Sequence, residues 1–190
     1  MAPDPGTDAA RATVRVVPTS HLAPAEVATI RALLWEAFAS DEDPFDETDW
    51  EHALGGMHFL VELDGRIVGH AAVVERELVV GGRQLRTGYV EAVATAPPMQ
   101  GRGLGSVLME RVTAYVRDGF ELGGLGTGRH HFYERLGWAT WRGPSSVLEG
   151  GRSRPTPDDD GFILLLRTPL SPPMDVTAPI SCHARPGAAW

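Results

Sequence analysis

Six residues, Gln100-Gly101-Arg102-Gly103-Leu104-Gly105, carry the most specific chemical information in the chain. They lie between an apolar, strand-like run over 89–95 and an amphipathic run that begins near Leu104. Closely spaced glycines let a backbone turn sharply and approach a ligand. The helix start that follows aims unpaired N–H groups and a positive dipole end at the same spot. An anionic group is the occupant this arrangement suits; an ordinary strand-to-helix connection is the competing reading. A dinucleotide fingerprint does not fit, because it requires G-x-G-x-x-G where this chain has Q-x-x-G-x-G after the stiff Ala96-Pro97-Pro98.

Other chemistries are weaker in the sequence. The histidines at 21, 52, 58, 70, 130, 131 and 183 form no i, i+4 helical pair and no Cys-His cluster, so surface or packing roles are expected of them and no metal site is assigned. Asp158, Asp159 and Asp160 lack the alternating spacing of a calcium loop and read as a solvated turn or a cation-binding loop. Ser106, Ser145 and Ser146 are not in a G-x-S-x-G elbow. Cys182 precedes His183 in a proline-rich tail, where a buried or incidental thiol is expected rather than a preset nucleophile. All 17 basic side chains are arginine, and neither lysine nor asparagine occurs. Pyridoxal Schiff bases, P-loop phosphate binding through lysine, and biotin or lipoyl attachment are thereby excluded.

The elements that must position these residues follow from periodicity. Residues 1–12 read as a mobile lead-in, and a single domain is expected over 13–190. A strand over 13–17 precedes a helix over 25–39, with Pro24 in its first turn and Ile30, Leu33, Leu34 and Phe38 at helical spacing. An acidic loop over 41–46 and a short helix over 47–54 come next. Strands over 57–63 and 66–80 are joined by Asp64-Gly65, and Gly81-Gly82 makes a second turn leading to the strand over 89–95. After the glycine loop a helix runs to Asp118-Gly119, followed by a strand over 121–125 and a helix over 129–136 ended by Gly137. Strands are expected over 138–147 and 162–166, a loop between them over 150–161, and an irregular tail from Thr168. The order predicts an α+β fold, a mixed central sheet with helices on both faces.

Composition narrows the class further. One cysteine rules out a disulfide within the chain, no signal-peptide pattern opens the sequence, and no apolar run approaches membrane-spanning length. A soluble cytoplasmic protein is expected. The net charge of −8 argues against a broad nucleic-acid surface and is compatible with small cationic partners.

The segment Phe132-Tyr133-Glu134-Arg135-Leu136-Gly137-Trp138, together with the glycine loop, resembles the GCN5-related N-acetyltransferase superfamily. Further stretches are similar to the aminoglycoside 2′-N-acetyltransferases within it: Glu47-Thr48-Asp49-Trp50-Glu51-His52, Leu54-Gly55-Gly56-Met57-His58, Gly88-Tyr89-Val90-Glu91, Gly143-Pro144, Ser146-Val147-Leu148, Thr156-Pro157-Asp158-Asp159-Asp160-Gly161 and the terminal Trp190. The resemblance runs from about Glu36 onward. It implies the N-acetyltransferase fold, acetyl-CoA as cosubstrate without a metal, and direct acetyl transfer to the 2′-amine of a small cationic aminoglycoside. A homodimer is a weaker implication.

By the same resemblance, Val93 and Ala94 offer backbone groups to the pantetheine. Gln100, Gly101, Arg102, Gly103, Leu104, Gly105 and Ser106 form the pyrophosphate segment. Glu91 takes the amine proton, directly or through water, and Tyr133 protonates the departing thiolate. Asp41, Asp49, Glu91, Gly126, Asp159 and the carboxylate of Trp190 match acceptor contacts. Two positions depart from the family pattern: Ala188 stands where an aspartate is common, and Gly126 where a serine is common, beside a shortened Thr127–Arg129 loop. These departures imply a narrower acceptor range, for which kasugamycin is the specific candidate; broad gentamicin-type activity, with ordered water or the shortened Thr127–Arg129 loop compensating, is the competing reading. An acetyltransferase for another small amine and a non-catalytic acyl-CoA or antibiotic-binding protein are the alternatives.

Overall fold

The computed structural model describes residues 5–41 and 44–190, so part of the expected lead-in and the Glu42-Asp43 stretch of the acidic loop lie outside the described residues. The described residues fall into two compact units that alternate along the sequence. The first combines residues up to Val74 with Val90–Val112; the second combines Glu75–Tyr89 with Thr113–Trp190.

In the first unit, α1 (Pro5–Arg11) and β1 (Thr13–Pro18) lead to α2 (Pro24–Ala37) and α3 (Glu47–His52). The unit continues with β2 (Met57–Leu63) and the portion of β3 (Arg66–Val80) that ends at Val74. It is completed by the portion of β4 (Arg83–Thr95) that begins at Val90 and the opening turns of α4 (Leu104–Gly119). Proline at the first position of α2 needs no N–H bond, and the Glu26 carboxylate accepts the Ala23 N–H at 2.8 Å, which fixes where the helix starts. The apolar spacing of α2 then buries Ile30, Leu33 and Leu34 against Val17, Trp50, Ala53, Leu60, Ala72 and Ala94. Strand β2 pairs antiparallel with both β1 and β3. The β2–β3 turn takes positive φ at Asp64 (50°) and Gly65 (74°), the twist that a two-residue hairpin demands.

In the second unit, the remainders of β3 and β4 meet through Gly81 and Gly82, both at positive φ. Then come β5 (Leu122–Gly126), α5 (His130–Glu134), β6 (Ala139–Thr140), β7 (Ser145–Glu149), β8 (Arg152–Pro155), β9 (Ile163–Arg167) and β10 (Ile180–His183). The strand order is β6-β9-β5-β4-β3-β10-β7-β8. The sheet is mixed: β4–β5 and β10–β7 run parallel, whereas β5–β9, β6–β9, β7–β8 and β10–β3 are antiparallel. Two glycines make β5 thin enough to be packed on both faces. A Cβ at Gly123 would come within 2.9 Å of Val116 Cγ1 and 3.0 Å of Trp138 Cη2, and one at Gly124 within 2.8 Å of the Tyr89 ring.

The described part of the lead-in, expected to be mobile, contains the helix Pro5–Arg11, with Asp8 in its first turn and only 4% exposed. Three expectations are corrected. The strand expected over 138–147 is two strands, interrupted at Gly143-Pro144, where the backbone of Ala178 comes so close that a Cβ on Gly143 would lie 1.9 Å from its carbonyl oxygen. The loop over 150–161 contains β8, because Gly150 and Gly151 take positive φ and close a hairpin with β7. The tail is not irregular throughout, since Ile180 and Cys182 alternate inward and β10 fits between β3 and β7. Among the described residues, no helix is long and apolar enough to cross a membrane.

Candidate active site

The glycine loop belongs to the first unit. After β4 ends, a single helical turn over Pro97–Met99 redirects the chain, and the Gln100 amide donates to the Thr95 carbonyl at 3.2 Å. Gly101 (φ 74°) and Gly103 (φ 79°) take the left-handed conformation that side chains disfavour. Nothing lies within 4 Å of a Cβ built on Gly101, so the need for glycine there is conformational and the surrounding space is open. Helix α4 begins at buried Leu104, and the N–H groups of Ser106 and Val107 return to the Gly103 carbonyl at 3.1 and 3.2 Å. The N–H groups ahead of them have no partner in the helix.

Arg102 adds a cation to this turn, and it already holds an anion. Its Nη1 donates to Asp8 Oδ2 at 2.9 Å, and Ala9 packs so near that a Cβ on Gly103 would lie 3.2 Å from its own Cβ. A guanidinium beside an open glycine turn and a helix start suits a pyrophosphate, and the Asp8 carboxylate now occupies the place on Arg102 that such an anion would take.

Upstream on β4, half-buried Glu91 and Val93 flank Ala92, which takes φ 52° inside an otherwise extended strand. Its carbonyl accepts from His70 Nδ1 at 2.8 Å, and His70 Nε2 lies 2.9 Å from His58 Nδ1. Both rings are fully buried. Burial lowers His58 from its ordinary 6.5 to about 4, and burial followed by the neighbouring ring lowers His70 to about 3 against the opposing bond to Ala92. The packing role expected of the histidines therefore understates this pair. Asp49, by contrast, is tied into its own helix start: its Oδ2 accepts the Asp46 N–H at 3.0 Å while Asp46 Oδ1 caps Thr48 and Asp49. Asp41 is exposed at the end of the α2 turn.

The second unit brings Tyr133, Gly126, Asp159 and Trp190 into one packed body. Tyr133 on α5 is 7% exposed and meets Phe132 edge-on at 4.9 Å. Burial pushes its phenol up to about 12, against a smaller opposing effect of Arg129, so it keeps its proton across the physiological range. Trp190 Nε1 donates to Thr156 Oγ1 at 3.2 Å, and the Asp159 N–H bonds the Thr156 carbonyl at 3.0 Å, so one threonine anchors both. A Cβ on Gly126 would lie 3.4 Å from the Trp190 carbonyl carbon, which places that position directly beside the terminal residue. The segment 188–190 is also gripped by arginines: Arg76 Nη2 donates to the Ala189 carbonyl at 2.7 Å while stacking over Tyr89 at 4.4 Å, and Arg185 Nε donates to the Ala188 carbonyl at 2.8 Å. Cys182 is buried, its thiol pushed up by burial. Asp160 is structural, accepting both the N–H and the hydroxyl of Ser145 at 2.7 Å. Among the described residues no group of three or more His, Cys, Asp or Glu side chains could hold a metal ion.

Sequence reasoning passed over Asp8, Thr19, Arg76 and Arg185, and gave His58 and His70 only a surface or packing role. The signal for the histidines lay in the strands: His58 pairs with Ala72 across β2–β3, which makes His70 its diagonal neighbour on one face. For Asp8 the signal was Pro5 at a helix start, with an acid in the first turn and Arg11 in the last.

Residues 19–141 match the family described as an acetyltransferase (GNAT) domain. The chain is 41% identical over 183 residues, 94% of its length and 92% of the relative's, to an aminoglycoside 2′-N-acetyltransferase of Mycolicibacterium fortuitum. It is similar in fold to a GNAT family acetyltransferase from Brucella melitensis solved with acetyl-CoA (TM-score 0.60, 20% identity, covering 90% of this chain and 97% of the other). It is likewise similar to the GNAT family N-acetyltransferase YhbS from Escherichia coli solved with CoA (TM-score 0.62, 21% identity, 91% and 90%). The glycine turn ahead of α4, the mixed sheet that carries it and the near full-length relative place this chain in the GNAT acetyltransferase family.

Proposed function

We propose that this protein is an acetyl-CoA-dependent aminoglycoside 2′-N-acetyltransferase. The observation that carries the acceptor is the identity of 41% across nearly the whole chain with an enzyme of that name. The observation that supports the donor is the positive-φ turn at Gly101 and Gly103, open at Gly101, with the Arg102 guanidinium beside it. When bound, acetyl-CoA supplies an acetyl group activated as a thioester.

The chain's own residues would do the rest. The N–H groups from Arg102 to Gly105 and the Arg102 side chain hold the pyrophosphate, the Ser106 N–H being engaged by the Gly103 carbonyl, and the backbone of Val93 and Ala94 lines the pantetheine. Glu91 takes the proton lost by the acceptor nitrogen as the N–C bond forms and the C–S bond breaks, and Tyr133, still protonated, gives its phenolic proton to the sulfur. One proton leaves nitrogen and one reaches sulfur, so the exchange balances without a covalent enzyme intermediate. Asp41, Asp49, Asp159 and the Trp190 carboxylate are the acceptor contacts of this reading, in a soluble, cytoplasmic enzyme that forms homodimers.

A finer reading concerns the acceptor range. Asp49 has one carboxylate oxygen engaged in its helix cap, and Ala188 and Gly126 bring no polar side chain. Each missing charge-assisted contact weakens a polycationic acceptor by about 1.5–3 kcal/mol. The range is accordingly narrow, with kasugamycin preferred to 4,6-linked drugs. Release of free CoA with gentamicin, tobramycin and kasugamycin, compared as kcat/KM, tests both levels. Turnover of none of them overturns the function, and a preference for the 4,6-linked drugs overturns the narrow range.

A further inference from the structure

Between β2, β3 and β4 of the first unit runs a buried chain of hydrogen bonds whose direction can be worked out atom by atom. The Ala92 carbonyl can only accept, so the proton at the 2.8 Å contact sits on His70 Nδ1. A neutral His70 then presents Nε2 as an acceptor, and the 2.9 Å contact requires His58 to donate from its own Nδ1. His58 Nε2 is left as an acceptor, and Thr19 Oγ1, 2.8 Å away, must supply a proton to it. The Gly56 carbonyl, 3.2 Å from Thr19 Oγ1, competes for that one hydroxyl proton, but it already receives the Thr19 N–H at 3.0 Å, and the shorter contact is to His58 Nε2. The Gly55 N–H closes the start of the chain by donating to Thr19 Oγ1 at 2.9 Å. Every bond therefore points the same way, toward Ala92.

Burying two imidazoles to satisfy one carbonyl makes sense only if that carbonyl matters. At φ 52° Ala92 has left the extended conformation, at a cost of about 1–2 kcal/mol for a residue with a Cβ. Its carbonyl is received by a side chain. The turn falls between Glu91 and Val93, so its angle sets both where the carboxylate points and how the 93–94 backbone edge faces.

We propose that His70 is a positioning residue: its Nδ1–H bond to the Ala92 carbonyl holds the left-handed turn in β4 that aims Glu91 and the donor-binding backbone edge, with His58 and Thr19 fixing the tautomer it needs. This rests on the donor edge assigned under the proposed function. The role is distinct from packing and from proton transfer to substrate.

Two variants separate positioning from packing. His70→Phe keeps bulk and removes the donor; His70→Asn keeps a donor near the Nδ1 position and loses volume. Positioning predicts that His70→Phe weakens CoA binding at least tenfold by calorimetry and lowers kcat, while His70→Asn recovers most of both. A packing role ranks the two variants in the opposite order. Independently of activity, long-range 1H–15N correlation on the wild-type protein should find both His58 and His70 as Nδ1–H tautomers. An Nε2–H tautomer at His70, unchanged CoA affinity and kcat in His70→Phe, or His70→Asn faring worse than His70→Phe overturns the proposal. Should His70→Phe fail to fold, His70→Asn decides: CoA affinity and kcat close to wild type support the proposal, and loss of both overturns it. Wild-type protein that binds no CoA would instead sink the donor assignment itself, a failure visible before any variant is made.

Discussion

Acidification from pH 6.5 to 5 should destabilise this protein by a route that its histidine pair makes calculable. Both rings are neutral in the folded state, with values near 4 for His58 and 3 for His70 against an ordinary 6.5. The unfolded chain therefore binds more protons as pH falls below 6.5, and the stability these rings contribute is complete above that value and lost below it. Linkage gives about 1.5 kcal/mol per ring across this interval, about 3 kcal/mol for the pair, and the loss continues until the folded values are reached. Against a typical total of about 5–15 kcal/mol, that is a large fraction. Depressed carboxylates such as Glu26 act at lower pH, below the ordinary 4.5, so they leave the interval clean. Urea unfolding followed by tryptophan fluorescence at a series of pH values, on wild type and on His58→Gln/His70→Gln, measures the difference directly. The wild type should lose about 3 kcal/mol more than the double variant between pH 6.5 and 5. Equal losses in the two proteins would refute neutral burial of the pair.

Three further outcomes are expected. Gly103→Val, placed at φ 79° and against Ala9, should raise the CoA dissociation constant at least tenfold, about 1.4 kcal/mol, in titration calorimetry; unchanged affinity would remove the loop from the donor site. Glu91→Gln and Tyr133→Phe should each slow single-turnover acetyl transfer by roughly 10²–10⁴-fold with donor affinity nearly intact, and near-normal rates would dissolve both roles. Asp8→Ala releases Arg102 from its buried carboxylate partner and should tighten CoA binding several-fold in the same calorimetric assay; weaker binding would mean that α1 helps to hold the donor rather than competing with it.

Legibility tracked how local each feature's cause was. Asp64-Gly65 and Gly81-Gly82 could be read because positive φ at consecutive residues is a demand met by few residue types. Helix α2 could be read because Pro24 and the recurrence of Ile30, Leu33 and Leu34 act over one or two turns. Strand β10 could not: four residues, Ile180 to His183, carry too short an alternation to stand out beside Pro179 and Pro186, and partners on β3 and β7 supply the reason for it. The same holds at the site. The glycine loop announces itself in six residues, whereas the histidine chain needs Thr19, His58, His70 and Ala92 brought together from four separate segments. Asp49 shows the converse, since a carboxylate assigned to the acceptor also serves the local cap at Asp46.

The alternation of the two units along the chain has a consequence for synthesis. All residues of the first unit exist once Val112 has been made, whereas the second waits for the last strand. Val80 on β3 pairs with Ile180, so its edge neighbour is made 180 − 80 = 100 residues later. At roughly 5–20 residues per second on the ribosome, that hairpin edge stays unpaired by its native partner for about 5–20 s while the rest of the chain emerges. An apolar β-edge held open that long is a natural client for a chaperone, and a natural starting point for aggregation when the chain is overproduced.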